Sequence, residues 1–192
     1  MAHLVVEPRS FYFGTPVVLI SSLNEDGSPN LAPMSSAWWM RRSCMLGLST
    51  RAATARNLMR ERECVLNLPS WELGDNVDRL GGTTGLNPVP ESKVELGYRY
   101  EPDKFGTAQL TTAPSDLVKP PRAAECPVQL EAVVENVHPF GDPDADIVSI
   151  EVRVVRAHID EAILVPDQHH YIDRDRWRPI IFSFGEFFNL TA

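Results

Sequence analysis

The chain has 192 residues and a net charge of −8, from 26 acidic against 18 basic side chains. It therefore lacks the broad basic surface on which non-specific nucleic-acid binding and attachment to anionic membranes depend. Its length fits one domain over residues 1–192, and no apolar run reaches the ~18 residues needed to span a bilayer.

The start, MAHLVVEPRSFYFG, has no secretory pattern, so the expected setting is cytoplasmic. Cys44, Cys64 and Cys126 lie in or beside apolar runs without metal-ligand spacing, which predicts buried reduced thiols. Residues 15–22 (TPVVLISS) are rich in β-branched side chains and read as a strand. The Asp26-Gly27 turn follows and predicts a hairpin returning at Asn30. Residues 30–34 lead to a turn at Ser35 and Ser36, then to Trp38 and Trp39. Adjacent side chains point in different directions, so only one of these tryptophans need be core. The run 44–48 (CMLGL) suits a buried strand, and 54–62 (TARNLMRER) a helix with Ala55, Leu58 and Met59 on one face. Residues 64–68 form the next strand; Ser70 is placed to cap a helix carrying Leu73, Val77 and Leu80.

The chain then changes character. Residues 81–105 are dense in glycine, proline and tyrosine, and a stretch this long without periodicity reads as a functional surface excursion. Residues 111–127 hold Pro114, Pro120, Pro121 and Pro127 and are expected to wrap the surface or a partner subunit. Partial alternation at 128–138 and 147–158 predicts two antiparallel strands joined by the turn-rich 139–146, and residues 177–190 a last strand with an aromatic cluster. Mostly short strands with two or three helices predict a mainly β chain with flanking helices, closed as an antiparallel barrel.

Chemistry concentrates at residues 49–54. Ser49, Thr50, Arg51 and Thr54 sit where a strand gives way to a helix, whose first N–H groups lack partners and carry about half a positive charge. That is a ready phosphate site, and Arg51 adds charge-assisted hydrogen bonds. The alternative reading leaves Ser49 or Thr50 as a plain N-cap and Arg51 as a solvated side chain. In an acidic chain, an anionic ligand needs local positive charge, which Arg51, Arg56 and Lys104 can supply. There is no Ser-His-Asp arrangement and no G-x-G-x-x-G after a strand. Asp167, His169, His170, Asp173 and Asp175 lack the spacing of a helical metal site and read as an acidic loop.

The ordered blocks T-P-V-V-L-I-S (15–21), N-E-D-G-S-P-N-L-A-P-M-S-S-A-W (24–38), L-S-T-R-A-A-T-A-R-N (48–57) and E-C-V-L-N-L-P-S (63–70) resemble the flavin reductase-like family of FMN-binding split-barrel proteins, flavoredoxin-type members included. Further blocks are V-D-R-L…T-T-G (77–85), Y-E-P-D-K-F (100–105), E-C-P-V-Q-L-E (125–131) and R-P-I-I-F-S-F-G (178–185). The resemblance implies an antiparallel, Greek-key split β-barrel that forms a homodimer with FMN near the subunit interface. It also implies NADH or NADPH as electron donor and an electron-accepting partner such as a monooxygenase. Asn30, Met34, Ser35, Ser36, Ala37 and Trp38 would line the flavin ring and ribityl chain. Ser49, Thr50, Arg51 and Thr54 would hold the phosphate, with Asn57 supporting the helix start. Lys104 would approach the flavin or its phosphate, and Phe182 and Phe184 would lie near the cofactor. Trp38, Tyr98 and Tyr100 are expected to wall the exposed ring face. Hydride chemistry belongs to flavin N5, so neither a catalytic side chain nor a metal is expected.

One departure stands out. Where many relatives carry Gly-x-His-Thr, residues 141–146 read GDPDAD, so the histidine contact is absent or replaced, with His158 a candidate substitute or a strand-end structural histidine. Two other readings follow: an FMN-binding electron carrier or sensor that does not turn over nicotinamide, and a barrel whose cleft serves a non-flavin metabolite.

Overall fold

The run Val17, Val18, Leu19, Ile20 is continuously apolar because alternate side chains serve two separate cores, as a strand's period of two allows. In the computed structural model, which describes residues 1–9, 11–142 and 144–190, Val18 and Ile20 pack with Leu46, Leu58, Leu66 and Ile150. Val17 and Leu19 face the other way, toward Leu31, Leu80, Phe105 and Ile180.

Chain order is β1 (Phe13–Pro16), β2 (Val18–Leu23), β3 (Pro29–Met34), β4 (Ala37–Met40), β5 (Ser43–Ser49), α1 (Ala53–Glu61), β6 (Glu63–Leu68) and α2 (Gly74–Asp78). The excursion holds β7 (Thr83–Thr84), α3 (Glu91–Val94), β8 (Arg99–Tyr100) and α4 (Lys104–Ala108). The proline-rich stretch pairs β9 (Thr112–Ala113) with β10 (Arg122–Ala123). The long β11 (Val128–Pro139) and β12 (Ile147–Ile159) follow, then β13 (Leu164–Val165), β14 (Gln168–Ile172), β15 (Ile180–Ser183) and β16 (Glu186–Asn189).

Seven strands form one antiparallel sheet in the order β3-β2-β6-β11-β12-β5-β4. β3 and β4 are its edges, yet only Ser35 and Ser36 separate them in sequence. That link spans about 11 Å at most, whereas seven strands laid flat would hold the edges about 29 Å apart. The sheet therefore rolls until its edges approach, giving an antiparallel barrel split along β3 and β4, which share no ladder among the described residues. The crossing from β5 through α1 to β6, over the β11–β12 pair, supplies the long return of a Greek key.

Several expectations are corrected. The strand read over 15–22 breaks at Val17, whose N–H bonds Ile180 O at 2.9 Å, so β1 leaves to pair with β15. In α1 the buried residues are Ala53, Thr54, Ala55, Asn57 and Leu58, so Ala55 and Leu58 lie inward as expected while Met59 is 36% exposed. Asn57 takes the inward position because its amide bonds Ser22 Oγ and Asn24 Oδ1, at 3.1 and 3.0 Å. Ser70 does not cap a helix: it forms a β-bridge to Pro179 and leads into a 3₁₀ turn, Trp71–Leu73, with Val77 and Leu80 buried beyond it. The C-terminal block folds as two strands, β15 and β16, because Phe184 (φ 49°) and Gly185 (φ 93°) close a hairpin. A phenylalanine in left-handed conformation carries no hairpin signal in sequence. Part of the cluster read as an acidic loop is strand: His169 and His170 lie in β14, which pairs with β13 and is exposed throughout. The three cysteines are buried and unpaired, and burial raises each thiol's pKa, that of Cys44 to about 12. Of the turn-rich 139–146, Pro143 lies outside the described residues.

Candidate functional site

Segments distant in sequence converge on the start of α1. Asn30 and Met34 of β3, Ala52 to Thr54, and residues 81–85 line one cavity of about 200 Å³, closed by Lys93, Tyr98 and Lys104. The helix start is open: Ala52 precedes it in extended conformation, with no capping side chain and no acidic residue in the first turn. Neither predicted cap serves it. Ser49 Oγ instead accepts the Arg51 N–H at 3.2 Å, and Thr50 Oγ1 donates to Asp146 O at 3.3 Å. The first-turn N–H groups beside the cavity therefore lack helical partners. Buried Asn30 donates to Thr54 Oγ1 and Ser22 Oγ, at 3.2 and 3.3 Å, tying β3 to β2 and α1. Gly85 packs so closely here that a Cβ would come within 2.8 Å of Asn30 Oδ1 and 3.3 Å of Ala53 Cβ. Any larger residue would push residues 81–85 off the helix start.

The charges converge as well. Lys104 is only 3% exposed, and its ammonium donates to the neutral Thr83 Oγ1 at 2.8 Å rather than to a carboxylate. Burial, reinforced by the neighbouring Lys93 ammonium, pushes Lys104 down to about 8. Lys93, half-buried, bonds Thr84 Oγ1 at 3.4 Å and sits 5.2 Å from the Tyr98 ring centroid. Burial and nearby Arg56 lower its pKa too. Desolvated like charges beside an open helix start destabilise an empty cavity and favour a filled one, provided the occupant is an anion.

The sequence pattern of the flavin reductase like domain matches residues 10–189. The chain belongs to the flavin reductase-like family. It is 34% identical over 185 residues to an uncharacterised Bacillus subtilis (strain 168) protein, YdfE, across 96% of this chain and 88% of that one. Among solved structures, flavoredoxin of Desulfovibrio vulgaris (Miyazaki F) superposes with TM-score 0.81 at 20% identity, over 100% of this chain and 94% of that one. Nitrilotriacetate monooxygenase component B from Bacillus cereus gives TM-score 0.79 at 18% identity, over 100% and 98%. These two structures share the split-barrel fold, and family membership brings flavin-linked oxidoreductase chemistry.

In this flavin reductase-like chain the sequence-predicted residues fall into groups. Asn30, Met34, Thr54 and Lys104 share the cavity, while buried Asn57 does not line it. Ser36, Ala37 and Trp38 line a separate apolar hollow of about 690 Å³, with Tyr12 and Phe140, and Ser35 lies in the chain between Met34 of the cavity and Ser36 of the hollow. Ser36 is fixed there: its O accepts the Gly47 N–H at 2.8 Å, and its Oγ meets the Tyr12 hydroxyl at 2.7 Å. Phe182 packs edge-on to Tyr12 at 5.5 Å and so reaches the serine bend indirectly, while exposed Phe184 packs on Phe13. Arg51 lies outside the cavity lining, ion-paired with Asp146. The proposed ring wall divides: Tyr98 lines the cavity, Trp38 the apolar hollow, and Tyr100 a third hollow with Arg56 and Asn57. His158 is committed to buried Glu131 at 2.7 Å. Sequence reasoning gave no role to Lys93, Thr83 or Thr84. The pair Thr83-Thr84 appears among the family blocks, but nothing in its spacing announces that each hydroxyl holds a lysine.

Proposed function

We propose that the protein binds FMN with its phosphate in the Lys104 cavity and acts as an NAD(P)H-dependent flavin reductase. Reduced flavin or electrons then pass to a partner enzyme such as a monooxygenase. The observation that carries this reading is a buried ammonium with a hydroxyl as its partner, set beside an uncapped helix start. The residues fit the group: Lys104, the first N–H groups of α1 and Thr54 would take phosphate oxygens, with Asn30 holding Thr54 in place. The ring would extend past Met34 along the Ser35-Ser36 bend toward Ala37 and Trp38. FMN supplies the hydride-accepting ring, and the protein supplies binding, orientation and hydrogen bonds. The exposed apolar face around Trp38 supports a homodimer, and buried reduced thiols fit a cytoplasmic setting.

A second reading is an FMN-binding carrier without nicotinamide turnover. It is favoured by the absence of histidine at 141–146 and by the commitment of His158 to Glu131. The deciding measurement is oxidation of NADH and of NADPH with and without added FMN, beside a visible spectrum of the loaded protein. FMN-dependent turnover with either donor supports the reductase; a flavin that binds but is reduced only by light supports the carrier. Failure to bind FMN at all would overturn both.

A further inference from the structure

Helix α3 buries none of its residues, and of its four positions Glu91, Ser92 and Val94 are exposed while Lys93 is the one tucked inward. Solvation alone would choose the opposite arrangement, with valine inward and lysine in water. The excursion does not need Lys93 to stay in place, because Arg99 N–H bonds Gly82 O and Glu101 N–H bonds Thr84 O, both at 2.9 Å. Turning the lysine in costs desolvation and side-chain freedom, and brings its ammonium toward like charges on Lys104 and Arg56.

We propose that Lys93 is a second cation for the terminal phosphate of the ligand, and that it sets selectivity for a phosphomonoester flavin over riboflavin and over a flavin whose phosphate is esterified onward. This rests on the flavin reading of the cavity. Charge counting supports it. A phosphomonoester carries about −1.5 to −2 near neutral pH, and a helix start offers about +0.5. Lys104 and the helix start together offer about +1.5, which meets only the lower end of that range; with Lys93 the site offers about +2.5, enough to cover the full dianion. Thr84 Oγ1 and the Tyr98 ring hold the Lys93 ammonium itself at the cavity that Lys104 also lines, and Thr83, next to Thr84, holds Lys104.

The test is a set of dissociation constants for FMN, riboflavin and FAD with the wild-type chain, Lys93→Met and Lys93→Arg. The wild type should prefer FMN. Lys93→Met should weaken FMN by about tenfold or more, the scale of a charge-assisted hydrogen bond, and leave riboflavin unchanged. Lys93→Arg, which keeps the charge, should restore most of the preference. FMN and riboflavin weakening together in Lys93→Met would reduce Lys93 to a structural tether and overturn the proposal, as would an unchanged FMN constant. A wild type that binds both flavins equally would overturn the selectivity and leave the flavin reading standing. A wild type that binds neither would remove the flavin reading itself and this inference with it.

Discussion

Lys104 shows what a single side chain reveals when its surroundings do not match its charge. Its ammonium titrates near 8 instead of 10.5 because burial disfavours the charged form. The unfolded chain therefore holds more protons than the folded one between those values, and the empty protein gains stability as pH rises through that window. An anion reverses the preference, since it binds the protonated form. FMN affinity should accordingly be nearly flat from neutral pH to about 8 and then fall by up to about tenfold per pH unit. Titration of flavin fluorescence across that range checks it, and a flat profile to pH 10 would remove Lys104 from the phosphate site. Lys104→Met should separate stability from binding: the empty protein becomes more stable by on the order of 1–3 kcal/mol, while FMN affinity falls by about 1.5–3 kcal/mol. Arg51→Ala should do less to affinity than Lys104→Met, because an exposed guanidinium already paired with Asp146 has little to give up.

At the level of elements, the proline-rich stretch is fastened by one buried carboxylate. Glu131 of β11 accepts the Asp116 and Leu117 N–H groups at 2.8 and 2.6 Å, and His158 Nε2 at 2.7 Å. Burial works against its charge, yet those donors hold it below the ordinary carboxylate value of 4.5. A depressed carboxyl contributes stability that is whole above 4.5 and is lost as pH falls through the folded value. Glu131→Gln should therefore cost about 1–3 kcal/mol at neutral pH, and the difference from wild type should shrink as both are acidified through the lowered folded value. Urea unfolding at neutral and at acid pH measures this, and equal stability at neutral pH would show that the carboxylate does not fasten the stretch. The strands themselves were legible from residue types, as at 44–48 and 128–138. The helix face was legible at Ala55 and Leu58 but not at Met59, because Asn57 takes the inward position through bonds to Ser22 and Asn24, which are more than thirty positions away.

Taken whole, the molecule carries an apolar face that no element explains by itself. Phe184 packs on Phe13 at 5.0 Å and Phe13 on Phe11 at 6.3 Å. Phe11 shares the apolar hollow with Trp38 and Phe140, and Met40 continues the strip; all these side chains are exposed. Contiguous apolar surface of this kind marks an interaction site. The wild-type chain should weigh as a dimer by light scattering at micromolar concentration, and Met40→Glu should shift it toward monomer. A single-chain mass across the whole concentration range would sink the homodimer.

The sequence by itself determined the strand-rich composition, the Asp-Gly hairpin, the strand-to-helix junction at residues 49–54 and the ordered family blocks, because local propensity and turn chemistry act over a few residues. It also pointed to Asn30, Thr54 and Lys104. The tertiary structure decided that Arg51 faces Asp146, that Lys93 turns inward, and that Ser36 and Lys104 line different hollows. Those outcomes depend on a rolled sheet bringing residues 30, 54, 83 and 104 to one place, and electrostatic fit between such distant positions leaves no periodic trace along the chain.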